Sequence, residues 1–133
     1  MTQEQRGTYE LWAGPANTPV TVDVARCADG RLRVAYPVGA HDVEVRITGA
    51  PSAQVLTDAL AAATSAILDA DPHCRRVVFA VPKGDEAGLA AAELAGYRHV
   101  VDVDVPGQSL GLLVVEPAWV TAADIDNEHV PGT

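Results

Sequence analysis

AAAELAGYRHVVDVDVPGQSLGLLVVEP, residues 90–117, reads as the last turns of a helix, a Gly-Tyr corner and two strands joined by a short turn. The helix stops at Gly96, the residue type best able to leave a helix through a left-handed conformation. Beyond it Val101, Val103 and Val105 alternate with Val100, Asp102 and Asp104, which predicts a strand with one wet side. VPGQS, residues 105–109, supplies the turn, and the apolar density of LGLLVVEP, residues 110–117, predicts a better-buried partner strand. Upstream, Asp85 is placed to cap the helix, which carries Leu89, Ala92 and Ala95; Gly88 inside it costs about 1 kcal/mol relative to Ala. RRVVFAVP, residues 75–82, is a short continuous apolar run, the pattern of a central strand covered on both faces. Before that, Leu56, Leu60, Ala63 and Ile67 fall at spacings of four, three and four, which predicts an amphipathic helix over residues 52–69 capped by Ser52.

The first half has a different period. Val20, Val22 and Val24, then Leu32, Val34 and Tyr36, then Val43, Val45 and Ile47 alternate with polar or small residues, the signature of half-buried strands. CADGR, residues 27–31, places Asp29-Gly30 between the first two runs and predicts a tight antiparallel hairpin. TYELWAGP, residues 8–15, adds a strand ended by Gly14 and Pro15. After Pro117 periodicity fades and charge rises, so residues 1–117 are expected to form one domain and residues 118–133 an acidic tail pinned at its start by Trp119. The order is antiparallel strands followed by β-α-β-α-β-β: an α/β fold (α+β with a mixed sheet), single-domain, and parallel only at the right-handed crossover in its middle.

A chain of 133 residues suits one domain, and no apolar run approaches the ~20 residues that span a bilayer, so no membrane role is expected. The opening MTQEQRGTYE has neither a basic start nor an apolar core, which predicts a cytoplasmic protein. Its two cysteines, Cys27 and Cys74, are then expected to be buried thiols. A net charge of -9 with a single lysine, Lys83, argues against nucleic acid, and an anionic ligand must be held by backbone amides or a few arginines. No metal is expected, because His73-Cys74 are adjacent and no second Cys/His pair stands at ligand spacing. Arg75-Arg76 are expected to pair with Asp69 and Asp71 on the surface.

That element order, with a helix ending in Ala-Gly-Tyr directly before two terminal strands, resembles the GNAT superfamily of acyl-CoA-dependent N-acyltransferases over roughly residues 20–117. By this resemblance VEVRIT (43–48) and RRVVFAVP splay apart to admit the pantetheine arm, and the pyrophosphate lies over the start of the Ser52 helix. The implied cofactor contacts are Ile47, Gly49, Ser52, Ala53, Gln54 and Val55, and the implied cosubstrate is acetyl-CoA or another acyl-CoA. Helix-start amides point at an anion without needing a basic patch. The family's Q/R-x-x-G-x-G/A loop is replaced by TGAPSAQ, residues 48–54, which offers Gly49 alone and loses one amide at Pro51.

The resemblance departs elsewhere too. Gly96 and Tyr97 fit the family's Gly-aromatic helix end and Asp85 falls at its Asn position, but Ala92 stands where a tyrosine commonly protonates the leaving thiolate. Tyr97 is read as packing. The family's first two helices have no counterpart, since residues 1–19 are too few and carry Pro15 and Pro19. Amine acylation needs a proton acceptor, for which Asp42 and Glu44 on the strand leading to the cleft are the candidates, with His41 before them; the alternative for both acids is a solvated strand face. Two functions follow: an N-acyltransferase, an acetyltransferase first, acting on a primary amine of a small molecule or protein, or a catalytically inactive GNAT-fold binding or assembly module. A homodimer, with swapped or paired strands filling the missing acceptor half, fits the second.

Overall fold

The computed structural model describes residues 7–33, 39, 41–50 and 52–117. Its elements run β1 (Gly7–Ala13), β2 (Thr18–Arg26), β3 (Val43–Thr48), α1 (Ala53–Ala70), β4 (Val77–Pro82), α2 (Glu86–Leu94), β5 (Arg98–Val105) and β6 (Gln108–Val115). They form one sheet in the order β1-β2-β3-β4-β6-β5, in which only β3 and β4 run parallel. The expected mixed α/β sheet is therefore present, with RRVVFAVP at its centre. Residues 118–133, including Trp119, lie outside the described residues, as do Val34 and Tyr36 of the second alternating run.

Alternation along each strand sorts the side chains onto two faces. Val22, Val24, Val43, Val45, Val77, Phe79 and Val81 join Leu60, Ala63 and Ile67 of α1 and Ala92 of α2 in one core. Full burial of each large member contributes about 1.5–3 kcal/mol. The opposite face gathers Val78, Val103, Leu110, Leu112 and Val114 with Cys27 and Leu32. Leu32 belongs there because the chain leaves the sheet after β2. Residues Cys27–Asp29 form a 3-10 turn, the Cys27 N–H donates to the Asp42 carbonyl at 2.9 Å, and Leu32 is fully buried.

This corrects the hairpin expected at Asp29-Gly30. A tight hairpin turn of that type needs positive φ, whereas Gly30 has φ -109°, and residues 31–33 form a turn rather than a strand. The antiparallel partner of β2 is instead β3, from Arg26↔Val43 to Thr21↔Thr48.

The helix boundaries follow the sequence signals. The Ser52 hydroxyl accepts from the Val55 N–H at 3.2 Å, and the Asp85 carboxylate accepts from the Gly88 N–H at 3.0 Å. The second cap explains the glycine inside α2, because a Cβ at residue 88 would stand 2.6 Å from Asp85 Oδ2. Gly96 leaves α2 at φ +102°. Asp102 and Asp104 are exposed as expected, and a bulge between His99 and Val101 bends the edge strand β5.

Candidate functional site

The β3–β4 ladder consists of only two pairs, Val43↔Val77 and Glu44↔Val78. Past that root the strands part, so residues 45–48 and 79–82 face each other without bonding. The gap opens a cleft of about 370 Å³ lined by residues from both faces of the sheet. Its mouth on the helix side is lined by Ile47, Leu56, Phe79, Val81 and Gly88, and its opposite mouth by Arg31, Arg46, Ala80, Gln108 and Leu110. Next to the first mouth lies a hollow of about 210 Å³ between the starts of α1 and α2, lined by Ser52, Ala53 and Ala87 and sharing Ala50, Leu56, Asp85 and Gly88 with the cleft.

The residues named from the sequence fall around this opening. Ile47 lines the cleft, Gly49 turns the chain from β3 toward α1 at φ +88°, and Ala53 and Gln54 are exposed on the first turn of α1. Val55 differs from its neighbours. Its side chain is buried against β1 and β2, and its N–H is taken by the Ser52 hydroxyl. A helix start leaves its first N–H groups without intrahelical acceptors, so the amides left to meet a ligand are those of Ala53 and Gln54. Asp85, the one acidic side chain among the described residues lining either space, turns its carboxylate into the α2 start.

Asp42 and Glu44 are not on a solvated face. Asp42 is 1% exposed, accepts from the Gly39 N–H at 2.8 Å and pairs with Arg76 at 2.9 Å. Glu44 is buried and pairs with Arg31 at 2.7 Å. Buried carboxylates persist only with such partners. Arg76 therefore has a buried partner within the sheet root rather than only the surface aspartates expected from its neighbours. His41 is exposed and stacks at 5.5 Å on His73, outside the cleft lining.

The remaining reactive groups are core residues. Burial first, then the charges of Glu44 and Asp42, pushes the Cys27 thiol up to about 12, and burial pushes Cys74 up to about 11. Both are free thiols, and neither has the electropositive, open setting of a nucleophile. Tyr97 is 3% exposed, its hydroxyl bonds Thr64 and its ring packs edge-on to Phe79; burial pushes its pKa well above the ordinary phenol value. Ala92 is fully buried, so the departure from the family's tyrosine stands. Among the described residues no group of three or more His, Cys, Asp or Glu side chains could hold a metal ion.

Sequence reasoning missed Arg31 and Arg46 as cleft residues. Arg31 was hidden by its assignment to a strand it does not join; Arg46 was legible, because it alternates with Val45 and Ile47 and so must leave the helix-covered face. It also missed the pairing of His99 and Asp102 at 2.8 Å across the β5 bulge, in an adjoining hollow of about 230 Å³ that shares Val81, Pro82 and Asp85 with the cleft. Their spacing of three residues would not bring side chains to one face of a regular strand, so only the bulge unites them.

A mixed sheet parted at its one parallel pair, with a helix starting at the gap and a Gly-Tyr corner before the last hairpin, is the GNAT architecture, and the chain has the fold of that superfamily. Among solved structures, AAC(6')-Ib in complex with paromomycin and acetyl-CoA aligns at a TM-score of 0.67 and 14% identity, over 87% of this chain and 68% of that one. A Bacillus halodurans protein aligns at 0.63 and 15% identity, over 78% and 56%. Arabidopsis thaliana NAA60 in complex with acetyl-CoA aligns at 0.50 and 12% identity, over 78% and 70%. Neither a protein-family model nor a curated protein sequence matches the chain.

Proposed function

We propose that the protein is an acyl-CoA-dependent N-acyltransferase, acetyl-CoA being the first cosubstrate to test, that acylates a primary amine. The observation that carries this reading is the cleft opened by the parting of β3 and β4, with the start of α1 at its helix-side mouth. Two solved structures of the same fold, AAC(6')-Ib and NAA60, hold acetyl-CoA, and the first also holds an aminoglycoside, which supports a small-molecule amine as acceptor.

In this reading the pyrophosphate meets the Ala53 and Gln54 amides and the positive end of the α1 dipole. Gly49 lets the chain enter that turn, and Ile47 flanks the pantetheine arm. Inside the cleft the backbone groups of Val45 and Ile47, which point away from β2, offer the hydrogen bonds a neighbouring strand would otherwise take. The amine nitrogen attacks the thioester carbonyl, the C–S bond breaks, and the thiolate leaves. The proton shed by the ammonium passes to water. Ala92 has no proton to give, so the thiolate is protonated by solvent, and the rate rests on holding amine and thioester together, an effect reaching about 7–11 kcal/mol at its limit. Asp42 and Glu44, each bound to an arginine, hold the root of the parted strands rather than the reacting proton.

Acetyl-CoA at about 100 times its dissociation constant should stabilise the folded chain by about 2.7 kcal/mol, read as a rise in thermal midpoint. With an amine panel added, free thiol should appear. No rise in midpoint sinks the proposal; a rise without thiol release favours the inactive binding module, for which the buried Ala92 is the supporting feature.

We place the protein in the cytoplasm on its two free thiols, which suit a reducing compartment. No helix among the described residues is long and apolar enough to cross a membrane. For its assembly we propose a homodimer through β1. Pro19 has no N–H, so the Trp12–Pro19 pair is a non-bonded rung, and the N–H and C=O of Thr8, Glu10 and Trp12 point away from the sheet. β5, the other edge, is guarded by its bulge and aspartates, whereas β1 is unbroken, with Tyr9 40% and Trp12 53% exposed. An antiparallel two-fold centred on Leu11 keeps the two Glu10 side chains apart. Glu10→Pro removes an outward N–H without touching an internal bond, so light scattering should show dimer for the natural chain and monomer for the variant; a natural monomer ends the proposal.

A further inference from the structure

The acceptor-side mouth of the cleft is cationic in a protein of net charge -9. On β3 the side chains of Val43 and Val45 enter the α1 core, so Glu44, Arg46 and Thr48 project on the other face. There Arg46 and Arg31 both line the cleft. Arg31 gives one amino group to Glu44 at 2.7 Å, while its Nε is buried with no hydrogen-bond partner among the described residues. Asp23 lies directly across from Arg46 in the β2–β3 register but accepts from the Thr8 hydroxyl at 2.6 Å, and no ion pair of Arg46 is found among the described residues. Glu44 is already matched by Arg31 at 2.7 Å. One guanidinium with a buried, unused donor and a second, exposed one therefore share a mouth through which an acceptor must come. A buried donor without a partner is costly to leave unmet, and a guanidinium edge matches a carboxylate.

We propose that the acceptor is an amino acid in the broad sense: a primary amine carrying a carboxylate, with the carboxylate held by the Arg31 and Arg46 guanidinium groups while the amine faces the thioester. This rests on the acyltransferase reading and names the substrate class of the same site. No covalent step is added to the one above.

The probes are 4-aminobutyrate and 6-aminohexanoate, each set against the alkylamine of equal length, butylamine and hexylamine. The full chain, saturated with acetyl-CoA, is titrated with each while the arginine Nε–H resonances are followed by NMR, and thiol release is measured in parallel. The carboxylate-bearing probes should bind at least about tenfold tighter than their partners, the lower end of what a charge-assisted hydrogen bond gives, and should move the Arg31 Nε–H signal. Arg46→Gln, an exposed position, should erase that preference and leave acetyl-CoA affinity unchanged. Equal or tighter binding of the alkylamines, no binding of either amino acid, or an unmoved Arg31 signal overturns the proposal. So does a loss of acetyl-CoA affinity in Arg46→Gln, which would assign Arg46 to the cofactor. Failure of the natural chain to bind acetyl-CoA at all is a separate result that removes the acyltransferase reading itself.

Discussion

Replacing Arg76 with Met is expected to lower the free energy of unfolding by about 3–5 kcal/mol, read from urea unfolding at neutral pH. The cause is the residue left behind. Asp42 is 1% exposed, and its Oδ2 rests on the Arg76 guanidinium at 2.9 Å. Without that charge the carboxylate stays buried with the Gly39 N–H as its one donor among the described residues. The damage should concentrate at the sheet root, because the Val43 N–H donates to the Arg76 carbonyl at 3.1 Å just before the two β3–β4 pairs. Replacing both partners, Asp42→Asn with Arg76→Met, should recover part of the loss, since no charge is then stranded. A single Arg76→Met variant as stable as the natural chain would show that the pair contributes nothing to holding the strands.

Ala53→Asp should abolish the stabilisation by acetyl-CoA while leaving the unliganded chain as stable as before, or more so. Ala53 is exposed at the first position of α1, where an acidic side chain interacts favourably with the helix dipole by about 0.3–1 kcal/mol. The same charge would stand against a pyrophosphate at the Ala53 and Gln54 amides. Loss of binding thus cannot be blamed on loss of fold. Thermal midpoints with and without acetyl-CoA, for both chains, decide the matter, and an undiminished shift in the variant would move the anion site away from α1.

Most of the fold was legible because its signals are local. The period of α1, its Ser52 cap, the Asp85 cap, the Gly96 exit and the apolar run of β4 each depend on residues within one element, and each appears where the sequence put it. What failed was long-range. Asp29-Gly30 is chemically fit for a hairpin, but β3 offers β2 a longer ladder, and Leu32 finds a deeper site on the far face of the sheet. Asp42 and Glu44 read as a wet face because alternation cannot reveal that Arg76 and Arg31 arrive from other segments to bury with them. The bulge that joins His99 to Asp102 breaks the period from which side-chain direction is inferred. The candidate site was half visible for the same reason: its helix start is local, whereas Arg31 and Arg46 reach the cleft from the excursion after β2 and from β3.

The short β3–β4 ladder has one more consequence. Past Glu44 the two limbs are, in effect, a pair of strand margins inside the molecule, each with main-chain groups that water must satisfy while the slot is vacant. A bound extended arm would act as a surrogate seventh strand and close them. Without such an arm those margins would offer an unfolded neighbour a template to pair with, so concentrated stocks are expected to aggregate less when acetyl-CoA is added.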